Sequence, residues 1–151
     1  MRTLAILAVA SMVLMAGAAS AEEVEVKMLN KGSDGVPMVF EPAFVKIAPG
    51  DSVKFISTDK GHNAESIKGM LPEGATSFVG KNGEDVSVKF DQPGVYGIKC
   101  LPHYGMGMVA LIAVGTPANT EQAKAVPQVG KAKQTFAALF GKLEASQAAA
   151  K

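Results

Sequence analysis

The chain has 151 residues, with 15 lysines and arginines against 14 acids and a formal net charge of +1, a length that suits one domain with a substantial core. That balance, with Arg2 as the single arginine, argues against nucleic-acid binding, although a one-sided cluster of lysines could still steer a protein partner. There is 1 cysteine, Cys100, so no internal disulfide is available, and a lone thiol outside the cytoplasm needs protection by burial, a partner or a metal.

Met1 to Ala21 reads as a secretory signal. Arg2 gives a positive start, Leu4 to Ala18 is an apolar run, and Ala19-Ser20-Ala21 has the small-x-small form that signal peptidase cuts. The run is shorter than the roughly 20 residues a bilayer crossing needs, and Glu22 and Glu23 follow at once. Residues 22–151 are then a single mature domain in the periplasm, with no net charge and no remaining membrane segment.

From Glu22 onward the spacing predicts strands over Val24–Leu29, Ala43–Ala48, Ser52–Thr58, Val86–Phe90, Val95–Cys100 and Met108–Val114, many of them alternating or β-branched. Turn signals separate them at Asn30-Lys31-Gly32, Pro49-Gly50-Asp51, Lys81-Asn82-Gly83 and Pro93-Gly94. Many short strands with frequent turns point to a β-sandwich. The last strand is apolar on both faces, which calls for a second layer over its outer side.

Helices supply that layer. Asn119 stands at a helix start with Gln122 three residues on, the capping-box spacing, which predicts a short helix over Thr120–Ala125. A second helix starts near Lys131 and carries Phe136, Leu139, Phe140 and Leu143 on one stripe. Its polar face mixes Lys, Gln, Glu and Ser, so the stripe reads as packing surface and not as a membrane-lying face. Only the alanine-rich tail after Glu144 has a composition biased enough to suggest disorder.

The chemistry sits in Cys100-Leu101-Pro102-His103-Tyr104-Gly105-Met106-Gly107-Met108, between two predicted strands. A thiolate, an imidazole and a thioether within nine positions suit copper cycling between Cu(I) and Cu(II), because soft sulfur favours Cu(I) and imidazole serves both states. His62, the other histidine of the chain, completes a His, Cys, His set. Met106 and Met108 are both within reach by spacing. Met108 opens the final strand, where a fixed backbone can hold its sulfur, whereas Met106 lies between two glycines.

With these residues in view, the chain resembles the cupredoxins, the blue-copper family, and among them the pseudoazurins. The resemblance rests on Cys-x2-His-x4-Met at Cys100, His103 and Met108 and on Gly61-His62-Asn63. It extends over the mature chain through Val24 to Asn30, Met38 to Pro42, Glu65-Ser66-Ile67 and the two C-terminal helices. It implies a mainly β, Greek-key sandwich of eight strands and one copper ion on His62, Cys100, His103 and Met108. The function it implies is soluble one-electron transfer by a monomer. Its partners would be transient redox proteins such as nitrite reductase and c-type cytochromes. It also implies that the Asn63 backbone N–H donates to the Cys100 sulfur, while Pro102, lacking an N–H, withholds a second donor.

Two other functions compete. A nucleophilic-cysteine enzyme would pair Cys100 with His103 and use Asn63 as orienter, but no oxyanion hole is evident and the neighbours are apolar. A copper-delivery protein would need an exposed site that releases metal, whereas four ligands from two segments make a closed one. His103 is expected to be the electron doorway, amid an apolar patch of Pro102, Tyr104 and Met106, with Lys31, Lys60, Lys68 and Lys99 around it.

Overall fold

The computed structural model describes residues 19–151, so all of the expected signal segment before Ala19 lies outside them. Eight strands form two four-stranded sheets. The first sheet has the order β2 (Pro37–Glu41), β1 (Glu23–Lys31), β4 (Ser52–Ile56), β6 (Val86–Lys89), and the second β3 (Phe44–Ile47), β8 (Val109–Val114), β7 (Gly94–Lys99), β5 (Glu65–Ser66). The parallel pairs β1–β4 and β3–β8, set among antiparallel neighbours, give the Greek-key crossing of a sandwich.

The period of two in the sequence decides which side chains meet. In β1 Val26 and Met28 are wholly buried while Glu23, Glu25 and Lys27 face water. With Phe40, Val53, Phe55 and Phe90 they pack against Val45, Ile47, Ile98, Ala110, Ile112 and Val114 of the second sheet. Full burial of each large side chain is worth about 1.5–3 kcal/mol.

Strand β8 is buried along its whole length. Alternate residues Ala110, Ile112 and Val114 enter the sandwich, while Val109, Leu111 and Ala113 join a second core. That second core is closed by α1 (Thr120–Lys124) and α2 (Ala132–Ala149), whose Phe136, Leu139, Phe140 and Leu143 are buried as the stripe predicts.

The structure corrects three local readings. Asn119 makes no side-chain cap on α1. Instead its amide clasps β7, Oδ1 accepting from the Val95 N–H at 2.7 Å and Nδ2 donating to the Val95 carbonyl at 2.9 Å. The alanine-rich tail after Glu144 is helical through Ala149, in keeping with the high helix propensity of alanine. Strands β2 and β5 had no signal of their own: β2 opens on Pro37, which suits only a sheet edge, and β5 is 2 residues long.

Candidate metal centre

One end of the sandwich is built from two loops. Cys100 directly follows β7 and Met108 directly precedes β8, and the Cys100 N–H donates to the Met108 carbonyl at 3.0 Å, so the antiparallel ladder ties the base of the loop between them. Above that base, Leu101–Met106 winds as a 3-10 turn opened by Pro102, and Gly107 ends it at φ 89. The His103 N–H donates to the Cys100 carbonyl at 3.2 Å and the Met108 N–H to the His103 carbonyl at 3.3 Å, so His103 is held from both sides.

The second loop, between β4 and β5, brings His62. Its carbonyl accepts from the Gly83 N–H at 2.8 Å, and Nε2 meets the Asn30 side-chain oxygen at 2.8 Å. A carboxamide oxygen only accepts, so Nε2 carries the proton and Nδ1 of the neutral ring presents a lone pair. Asn63 joins the two loops: its Oδ1 accepts from the Leu101 N–H at 2.8 Å, and its Nδ2 donates to Glu65 at 3.0 Å and to the Gly80 carbonyl at 3.1 Å.

Three donor atoms converge where the loops meet. Nδ1 of His62 lies 3.1 Å from Nδ1 of His103 and 3.7 Å from Sγ of Cys100, and Nδ1 of His103 lies 3.5 Å from the same sulfur. A first-row dication bonded about 2.0 Å from nitrogen and about 2.3 Å from sulfur, with bond angles of roughly 100–120°, separates such donors by roughly 3.0–3.7 Å. The spacing therefore fits one ion on these residues, and the donor types fit copper. Among the described residues His62, Cys100 and His103 form the one group of three such ligands.

The surroundings disfavour a proton on the His62 ring. Burial, and then the neighbouring His103, push the His62 pKa down, which keeps its ring neutral. Burial pushes the Cys100 thiol up, opposed by the backbone N–H groups of Asn63 and His103. The contribution from Asn63 is the one the resemblance implies; Pro102 offers none, and the second comes from the residue after it. A dication in reach of the sulfur would supply the charge that stabilises the thiolate.

Exposure separates the four expected ligands. His62, Cys100 and Met108 are wholly buried, and His103 is half-buried. Met106 is 47 % exposed and Leu101 57 % exposed, beside an exposed Pro102. The apolar rim around His103 thus consists of Leu101, Pro102 and Met106. Leu101, which sequence reasoning left out, belongs to it, while Tyr104 is turned inward, its hydroxyl on Gln128 and its ring 5.1 Å beneath Nζ of Lys99. Lys99 is in turn paired with Glu65 at 3.3 Å, so it is a structural cation, while Lys31, Lys60 and Lys68 remain exposed.

Comparison with known proteins agrees with this geometry. Residues 26–115 match the family described as copper binding proteins, plastocyanin/azurin family. A putative pseudoazurin of Rhizobium leguminosarum bv. viciae is 59 % identical over 121 residues, covering 78 % of this chain and 79 % of that protein. The pseudoazurin of Methylorubrum extorquens is 52 % identical over 127 residues, covering 83 % of this chain and 85 % of its own. The crystal structure of pseudoazurin from Methylobacterium extorquens AM1 superposes with a TM-score of 0.77 at 52 % identity, over 80 % of this chain and 98 % of that one. The chain therefore belongs to the plastocyanin/azurin family of copper-binding electron carriers, and within it to the pseudoazurins.

Proposed function

We propose that this chain is a periplasmic one-electron carrier whose copper is held by His62, Cys100, His103 and Met108. It takes electrons from c-type cytochromes and passes them to respiratory enzymes such as nitrite reductase. The observation that carries the reading is the convergence of three soft or borderline donors on one point, with a single half-exposed imidazole between that point and solvent.

Copper, when bound, supplies the one-electron redox couple. The residues of the chain do the rest. Cys100 and His62 would hold the ion from the protein side, and the burial of Met108 against the exposure of Met106 supports Met108 as the thioether ligand. Asn30 and Asn63 fix the two loops, so a cage held this way would change little between oxidation states and little rearrangement would oppose transfer. His103 leads the electron to the surface, where Leu101, Pro102 and Met106 form a dry contact. Lys31, Lys60 and Lys68 attract an acidic partner, and the complex is transient because the carrier must leave after each transfer.

A site with His62 and Cys100 wholly buried suits retention of copper and not its delivery. Export rests on the signal-like Met1 to Ala21, and among the described residues no helix is long and apolar enough to cross a membrane. The protein is expected in the periplasmic fraction, starting at Glu22.

The test is the visible spectrum of the protein after one equivalent of Cu(II) and again after ascorbate. An intense thiolate-to-copper band that bleaches on reduction, returns on oxidation and is absent in Cys100→Ser establishes the reading. A Cys100 that still titrates as a free thiol after copper addition would overturn it.

A further inference from the structure

We propose that the segment joining the two helices, Ala125 to Lys131, is a latch on the metal-ligand loop, and that Gln128 and Gly130 are positioning residues for His103. This rests on the reading of His103 as a copper ligand.

Two hydrogen bonds and a close backbone approach join the far side of the loop to this segment. The Tyr104 hydroxyl donates to Oε1 of Gln128 at 2.5 Å, and the Lys131 backbone N–H donates to the Gly105 carbonyl at 3.0 Å. Gly130, at φ 51, lies so close that a Cβ there would collide with the Gly105 carbonyl. One turn further, a Cβ on Gly107 would come within 2.7 Å of Oγ1 of Thr135, so the start of α2 also presses on the loop. These approaches need glycine at Gly107 in the loop and at Gly130 in the latch.

The latch is itself anchored. Nε2 of Gln128 donates to Sδ of Met70 at 3.1 Å, and Met70 is wholly buried beneath Gly97 of β7. Gln128 thus connects a surface loop to the second core. The near side of the loop has its own fastening, the Leu101 N–H on Asn63. His103 sits between these two grips, at the one residue where the 3-10 turn departs from helical angles, φ −120 and ψ 19. Its support within the loop is backbone hydrogen bonding to Cys100, Gly107 and Met108, and the outer grip further limits how far the ring can swing.

A carrier needs the ligand nearest its partner to be both exposed and still. Burial cannot supply that stillness at His103, because burial would close the electron path. The helix connector supplies it from outside. On this view the C-terminal helices do more than cover β8: they place Gln128, Gly130 and Lys131 against the loop.

The experiment uses full-length, copper-loaded protein in the reduced, diamagnetic state. Amide hydrogen exchange is followed for His103, Gly107 and Met108 in Gln128→Ala and Gly130→Ala, with the reduction potential measured alongside. Both variants should exchange about tenfold faster at these amides, the effect of losing roughly one net hydrogen bond, while β7 and β8 keep their protection. The potential should shift with them. Lys124→Gln, which weakens the pairs to Glu121 and Glu144 without touching the Tyr104 or Gly105 contacts, should leave both readouts unchanged. If Gly130→Ala does not fold, Gln128→Ala decides alone. Lower melting temperature with unaltered loop exchange and potential would overturn the latch and reduce the connector to a cover. The thiolate-to-copper band of the unaltered protein, recorded first, tests the copper reading separately.

Discussion

Nε2 of His62 meets the Asn30 carboxamide oxygen at 2.8 Å, and this contact decides which ring nitrogen His62 offers to the metal. Without it, the proton is free to sit on Nδ1 and block the lone pair that faces Cys100 and His103. Asn30→Ala should therefore weaken copper binding about 10- to 100-fold, the usual cost of losing such a support. Competition against a chelator of known affinity measures it, and an unchanged affinity would mean that the backbone alone fixes the ring.

Replacing Met108 separates holding the metal from tuning it. Met108→Leu keeps the buried volume and leaves His62, Cys100 and His103 in place, so the visible band should persist. The potential should rise, because an aliphatic side chain withdraws a donor and makes the pocket more apolar, which disfavours the more highly charged oxidised ion. Voltammetry reads the shift. A band lost altogether would make Met108 an essential ligand and not a tuning one.

Glu65 is 8 % exposed and holds both Nδ2 of Asn63, at 3.0 Å, and Nζ of Lys99, at 3.3 Å. Glu65→Ala strips a nearly buried cation of its partner and slackens the residue that ties the two loops. The expected loss is about 2–3 kcal/mol, between the limits for exposed and fully buried pairs. Glu65→Gln, which keeps an acceptor, should lose less. Urea unfolding gives both values, and a loss within 0.5 kcal/mol for Glu65→Ala, about the scatter of an ordinary surface change, would place the pair among the inconsequential ones.

At the opposite end of the sandwich, Oδ1 of Asp51 accepts from the Glu22 N–H and Oδ2 from the Ala48 N–H, both at 2.9 Å. These bonds, Glu22 first, hold its pKa below the ordinary value of 3.8. A carboxylate whose pKa is depressed in the folded state stabilises the fold fully above the unfolded value, and that contribution fades as pH drops through the folded one. Melting temperature should thus decline below about pH 4. Asp51→Asn should start lower and show a shallower decline; parallel profiles would mean that other carboxylates control the acid limb.

Much of this architecture could be read along the chain, and what could not shares a physical cause. Strands such as β1 and β4 declare themselves by alternation, and the α2 stripe by its 3.6-residue period, because one buried face imposes a regular pattern. The Cys100 to Met108 loop declares its chemistry by residue type and short spacing. By contrast Asn30 and His62 are 32 residues apart and Tyr104 and Gln128 are 24 apart, and no local pattern marks either pair. Asn119 misled for the same reason: a side chain suited to capping α1 was taken by Val95 of β7, a tertiary partner that local rules cannot see.

His62, Cys100 and Met108 have no exposed surface at all, and the sandwich closes behind them. Half-buried His103 is the expected ligand nearest solvent, so we expect an ion to enter or leave past its loop, whose two grips must open for it to pass. Copper exchange should accordingly be slow and governed by loop opening, so that the lifetime of the loaded carrier is a kinetic property of the loop between Cys100 and Met108 and not a simple reflection of affinity.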